Sequence, residues 1–312
     1  MDKPKSISAI AGHGRCIDGK LCAYHEGKVN NSVCPSPEVY GEKPLEEIHK
    51  LLNSQKVEEL SLEELIKNSL KLIDDYWKEH ANELVGNLIS AHRSEYKEAQ
   101  KKDMYLAGGW MASPQQFSQL HAVMWVLNKK GKLTSNSDVL RLGTASGAHS
   151  EQLAGIFSII NSDLDPELTI IDKCNAPLEN SKHLTEKLKL GDVVTDMRNL
   201  IKDASMDVVT GHFITSFIPG KDSPEASGHA KSLAAKLQLF SNANYVLKLG
   251  GCLCICIGTS PKDPRRFNNQ EEISNTIKDA GFRDINIVET TDPLDFTDGS
   301  YDPGNFFVVA FK

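Results

Sequence analysis

Long hydrophobic runs are missing. No apolar stretch in the 312 residues approaches the roughly 18–20 needed to cross a bilayer. Behind the charged start, Met1 to Ser6, there is no apolar segment of the secretory kind, so a secreted product is not indicated. A surplus of positive charge is missing too. Lys and Arg number 35 against 42 Asp and Glu, a net charge of -7. That balance speaks against a nucleic-acid backbone as the partner, since such binding needs clustered cations. Cysteines number 7, an odd set with three crowded into Cys252, Cys254 and Cys256, so a disulfide framework is not indicated and a cytoplasmic location is expected. Aromatics are sparse at 7%, yet the 40% hydrophobic and 25% charged fractions are those of an ordinary globular chain with a full core.

Residues 1–43 show neither helical nor strand period and read as an irregular segment. Residues 44–130 read as a helical section. There Leu62, Leu65, Ile66, Ile73, Tyr76 or Trp77, Leu84 and Leu88 recur at helical spacing. Ser61 and Glu64 form a capping box. Ser113 followed by Pro114 opens a further helix through Phe117, Leu120, His121, Met124 and Leu127.

From about residue 131 to 312 strand-like runs alternate with helical stretches. Strands are expected at Val139–Leu142, Thr169–Ile171, Asp192–Thr195, Met206–Thr210, Cys252–Ile257, Ile285–Val288 and Phe306–Phe311. Helices are expected at Ser150–Ile160, Leu178–Leu188, Ala230–Leu247 and Gln270–Ala280. Such alternation predicts an α/β fold with a mostly parallel seven-stranded sheet. No helix fits between the last two strands, so the last one returns antiparallel.

In an open α/β sheet, ligands sit beyond the carboxyl ends of the strands. The first strand leads into Gly143-Thr144-Ala145-Ser146-Gly147, a turn that lets a ligand approach the backbone, and the helix behind it points N–H groups at an anion. Asp172 closes the second strand. A carboxylate there can accept from ribose hydroxyls or cap the next helix. Asp196, followed by Met197, could accept from an adenine amino group.

Taken in order, these residues resemble the class I S-adenosylmethionine-dependent methyltransferases. The resemblance covers about residues 130–312. It rests on Gly143 and Gly147, Asp172, Asp196, the run Met206-Asp207-Val208-Val209, the turn Leu247-Lys248-Leu249-Gly250-Gly251, and Asp279-Ala280-Gly281-Phe282. It implies a Rossmann-like methyltransferase fold with S-adenosyl-L-methionine as cofactor, held by Gly143, Thr144, Gly147, Asp172, Asp196 and Met197. It places His212 at the substrate rim as a candidate base. Two departures stand out: Arg141 where the family usually has an acidic residue, and Ala145 where it has a glycine. They support an alternative, a methyltransferase-like binding or scaffold protein without activity.

The acceptor expected is a small molecule chosen by the helical section, with a protein acceptor left open. His149 could touch the cofactor, and Phe213, Phe217 and Trp110 could wall the sulfonium or simply pack. Met111 to Phe117 could form a lid. Cys16, Cys22, His25 and Cys34 could hold zinc, but lack the tight knuckle spacing, and no metal is expected. Lys129, Lys130 and Lys132 read as a solvated helix end. A nicotinamide-dependent oxidoreductase is disfavoured, because Ala145 and Ala148 stand where its fingerprint needs glycine.

Overall fold

The order of elements follows from the alternation just read. In the computed structural model the described residues are 42–85, 114–144, 148–212, 214–218, 228–261, 263–290 and 305–312. Three helices come first: α1 (Glu42–Asn53), α2 (Leu62–Val85) and α3 (Pro114–Lys129). Then follow β1 (Asp138–Leu142), α4 (Ala148–Ile160), β2 (Glu167–Asp172), α5 (Asn175–Ser181), β3 (Leu188–Leu190), α6 (Met197–Leu200) and β4 (Met206–His212). The chain closes with α7 (His229–Val246), β5 (Leu247–Gly258), α8 (Gln270–Asp279), β6 (Arg283–Thr290) and β7 (Asn305–Phe311).

The seven strands form one sheet in the order β3-β2-β1-β4-β5-β7-β6. The pairs β1/β2, β1/β4, β2/β3 and β4/β5 are parallel, while β7 runs antiparallel between β5 and β6. The order reverses between β1 and β4, the place where an open α/β sheet leaves a crevice.

Strand alternation assigns each face. Val139, Val208, Cys252, Cys254, Cys256, Phe307 and Val309 enter one core with α1 to α4. Leu140, Leu142, Val209, Leu253, Ile255 and Val308 enter the other with α7 and α8. The helical section therefore shares a core with the sheet. Its indoles are satisfied across helices: Trp125 donates to Asn53 at 3.0 Å and Trp77 to Ser118 at 3.3 Å. The capping box forms as expected, with the Ser61 N–H on Glu64 at 2.9 Å and the Glu64 N–H on Ser61 at 3.2 Å.

Two expected elements are corrected. The third strand is not Asp192–Thr195 but Leu188–Leu190, and residues 193–196 form a turn from which Val193 drops into the core. The helix expected over Leu178–Leu188 stops at Ser181. A third correction concerns the lysines. Lys130 donates to the carbonyls of Val57 and Leu60, each at 2.6 Å, and so clasps the connection between α1 and α2, whereas Lys129 and Lys132 are exposed as expected.

Much of the family-like signature proves to be a bracket at the amino-terminal edge of the sheet. Asp207 accepts from the Asp138 N–H and from Lys248 Nζ, each at 2.7 Å, and Lys248 also reaches Asp138 at 3.0 Å. A Cβ on Gly251 would lie 2.9 Å from the Asp207 carbonyl oxygen, so only glycine lets β5 draw this close to β4. Cys252, Cys254 and Cys256 are buried free thiols. The Cys252 thiol beside it and its burial push the Cys254 thiol up, which keeps it protonated and inert.

Candidate functional site

At Leu142 β1 ends, and Gly143 turns the chain with φ of 64°. A Cβ there would sit 3.0 Å from Ile214 Cδ1, so position and conformation both call for glycine. The Gly143 N–H donates to the Ile171 carbonyl at 2.9 Å. The next N–H, of Thr144, donates to Asp172 Oδ2 at 2.9 Å. The other carboxylate oxygen accepts from the Cys174 N–H at 2.9 Å. Asp172 therefore ties the turn after β1 to the turn after β2. Thr144 Oγ1 shares a hydrogen bond with Ser150 Oγ at 2.6 Å, which locks the turn onto the first turn of α4.

Asp172 is only 4% exposed. Burial raises its pKa above the ordinary carboxylate value, against the pull of the two backbone N–H groups. Each oxygen still has acceptor capacity beyond its one backbone partner.

Beneath the turn lies Arg141, fully buried on the face covered by α3 and α4. Its Nε donates to the Gly143 carbonyl at 3.0 Å and its Nη1 meets His212 Nδ1 at 2.9 Å. Burial lowers its pKa to about 10, so it stays charged at neutral pH. A guanidinium has only donors, so His212 Nδ1 is the acceptor. The imidazole is then neutral and carries its proton on Nε2. His212, 6% exposed at the end of β4, presents a donor, and the nitrogen with the free pair is already engaged. This geometry does not suit the base expected from the sequence.

Asp196 and Met197 sit differently from the expectation as well. Asp196 lies in the turn beyond β3, where its Oδ2 accepts from the Asp192 N–H at 2.8 Å and its Oδ1 from the Thr195 hydroxyl at 3.0 Å. The Met197 side chain is fully buried in the core beneath α7. Asp192, which the sequence reading passed over, immediately follows Gly191, and the Gly191 N–H donates to the Asp172 carbonyl at 3.0 Å.

Gly147, Ala145, Trp110, Phe213, Met111 to Ser113, Cys16, Cys22, His25 and Cys34 lie outside the described residues, as do the side chains of Phe117, His149 and Phe217. Among the described residues, no three His, Cys, Asp or Glu side chains gather to hold a metal, and no helix is long and apolar enough to cross a membrane.

Of the solved structures similar to this chain, a CurJ carbon methyltransferase aligns with a TM-score of 0.51 at 14% identity, over 78% of this chain and 70% of its own. The phosphoethanolamine N-methyltransferase 2 of Haemonchus contortus, in complex with S-adenosyl-L-methionine, aligns with a TM-score of 0.42 at 15% identity, over 62% of this chain. The alignment covers 52%, about half, of that worm enzyme. A methyltransferase from Archaeoglobus fulgidus aligns with a TM-score of 0.41 at 14% identity, over 63% of this chain and 94% of its own. No protein-family profile and no curated protein sequence matches the chain. The fold is thus the Rossmann-like fold of the S-adenosylmethionine-dependent methyltransferases.

Proposed function

We propose that this protein is an S-adenosylmethionine-dependent methyltransferase acting on a small-molecule acceptor. One observation carries the reading. The Thr144 N–H on Asp172 at 2.9 Å joins the glycine turn and the carboxylate at the strand-order reversal, where a nucleoside would lie.

The nucleoside half of such a cofactor fits these residues. Asp172 keeps lone pairs for ribose hydroxyls, Gly143 leaves the backbone open, and the start of α4 offers N–H groups to a carboxylate. Asp192, two residues beyond the Leu190 that pairs with Asp172, accepts from its own turn through Oδ1 alone and is a better candidate acceptor for the base than Asp196, both of whose oxygens serve that turn. Once bound, the cofactor would supply an activated methyl group on a sulfonium. The work left to the chain is positioning, which can contribute roughly 7–11 kcal/mol. His212 would orient the acceptor by its Nε2–H, so an acceptor that already carries a free pair at neutral pH suits this site best. The net charge of -7 supports a small molecule over a nucleic acid, and the buried free thiols support a reducing compartment such as the cytoplasm.

The second reading, a binding protein of the same fold without activity, is favoured by the Arg141–His212 pair, which occupies the only base the sequence offered. Calorimetry separates the cases. The full chain is expected to bind S-adenosylmethionine and S-adenosylhomocysteine with sub-millimolar affinity, and to transfer methyl when small-molecule acceptors are screened. Binding without transfer to any acceptor would favour the scaffold. No heat with either ligand would remove the cofactor site, and a fluorescence response to NADH instead would revive the oxidoreductase.

A further inference from the structure

Gln119 on α3 and Thr210 on β4 are fully buried. Both amide atoms of Gln119 and the hydroxyl of Thr210 lack a hydrogen-bond partner among the described residues. Groups left in that state destabilise a chain, so their retention calls for a reason. Ser118, His121 and Trp125 bond to α2 and α1. At about 100° per residue, Gln119 points away from that side of the helix. It lies on the side of Val123 and Val126, which fill the core between α3 and the sheet with Cys254 and Cys256. Its height above the sheet follows from the other end of the helix. Leu127 and Cys252 line one cavity at the amino-terminal edge, beside Asp207 and Lys248. From there the helix rises about 12 Å back to Gln119, and β5 rises about 13 Å to Cys256. Cys256 pairs in register with His212, so Gln119 stands over the carboxyl ends of β4 and β5, where the acceptor is expected. Thr210 shares the face of His212 and pairs in register with Arg141 and Cys254.

Resting on the methyltransferase reading above, we propose that Gln119 recognises the methyl acceptor, and that this acceptor is an uncharged molecule with an amide-like edge, a carboxamide or a lactam. A glutamine side chain sets an NH2 donor beside a carbonyl acceptor. A carboxylate has only lone pairs and would leave the Gln119 carbonyl unpaired. An ammonium has only donors and would leave the NH2 unpaired. A group with a donor beside an acceptor satisfies both atoms at once. Full burial sharpens the choice, because no bulk water stands by to make up a missing bond. The amide edge is the handle and not the methylated atom, since an amide nitrogen is a poor nucleophile at neutral pH. The Thr210 hydroxyl, which both donates and accepts, serves a second polar group of the same molecule.

Nuclear magnetic resonance on the full chain saturated with S-adenosylhomocysteine tests this with three probes that share one ring: benzamide, benzoate and benzylammonium. The side-chain NH2 signals of Gln119 are identified by their loss in Gln119→Leu. Benzamide is expected to shift them saturably, with an affinity at least about tenfold above those of benzoate and benzylammonium. Gln119→Leu is expected to melt about 2 °C or more above wild type, because it removes two unpaired buried groups. Its affinity for S-adenosylhomocysteine, measured by calorimetry, is expected to stay within about twofold of wild type. No shift with benzamide, or equal shifts with all three probes, would overturn the amide edge and leave the nucleoside site standing. A Gln119→Leu variant that melts no higher than wild type would show that the amide already has a partner in the chain without acceptor, and would overturn the inference in the same way. Failure of the wild-type chain to bind S-adenosylhomocysteine would overturn the nucleoside site and this inference together.

Discussion

Acidification from about pH 6.5 to pH 5 is expected to destabilise the protein by about 1.4 kcal/mol per pH unit through His121 alone. His121 lies on α3 with its ring fully buried. Its Nε2 is 3.2 Å from His49 Nδ1 on α1, and the two rings stack at 5.3 Å. Burial, and behind it any charge on His49, lowers the His121 pKa from 6.5 to about 3. The unfolded chain therefore takes up a proton at this position below about pH 6.5, and the folded chain does not until near pH 3. Protons favour the unfolded state throughout that window, and the stability present above pH 6.5 is lost as pH falls. His49 acts in the same direction, its pKa lowered by burial and by Lys129. Asp172 acts in the opposite direction at lower pH, because its pKa is raised on folding. The slope is thus cleanest between about pH 6.5 and 5, above the carboxylate range. Urea unfolding followed by tryptophan fluorescence measures it, since Trp77 and Trp125 lie in the same helical section. His121→Leu should flatten the slope by about one proton. A variant with the wild-type slope would place the proton uptake elsewhere.

Replacing Asp172 should do more damage than loss of a ligand contact. In Asp172→Ala, the N–H groups of Thr144 and Cys174 lose their acceptor in a buried setting. Each unsatisfied donor costs about 1–3 kcal/mol, partly offset by removal of a buried charge, so a net loss of about 2–4 kcal/mol is expected. The turn after β1 should loosen, and nucleoside binding should disappear even well below the melting temperature. Asp172→Asn keeps one acceptor oxygen and sets an NH2 against the other donor. It should fall between wild type and Asp172→Ala in melting temperature and bind at least tenfold more weakly than wild type. Melting curves and calorimetry on the same samples check both effects. If Asp172→Ala melts like wild type and still binds, the carboxylate is neither the tie nor the ligand group.

Much of this architecture was legible because burial leaves a period in the chain. The runs at β1, β2, β4, β5 and β7 are mostly apolar on both faces, Arg141 in β1 being the main exception, and the helices between them carry their own spacing. The third strand was misread because Leu188–Leu190 is short, holds Lys189 in its middle and lies at the sheet edge, whereas Val193 and Val194 look like strand residues but serve a turn. Lys130 was misread because its acceptors lie 70 and 73 positions away. The meeting of Gly143, Thr144 and Asp172 was legible from their places at the ends of neighbouring strands. The pairing of Arg141 with His212 was not. It spans 71 positions, and only the neighbouring placement of β1 and β4 brings a guanidinium to the imidazole and fixes its proton. The hydrogen bonds of Asp196 within its own turn were not legible either, because a carboxylate in a turn can serve its own backbone or a ligand and spacing alone does not separate the two.

The central claim is that the turn at Gly143 and the carboxylate of Asp172 form one nucleoside seat. A crystal structure with S-adenosylhomocysteine tests it most directly. The account predicts ribose density with its hydroxyls at hydrogen-bonding distance from Asp172 and its 5′ side over Gly143. Ligand density elsewhere on the molecule, with Asp172 still bound only to the Thr144 and Cys174 amides, would contradict it.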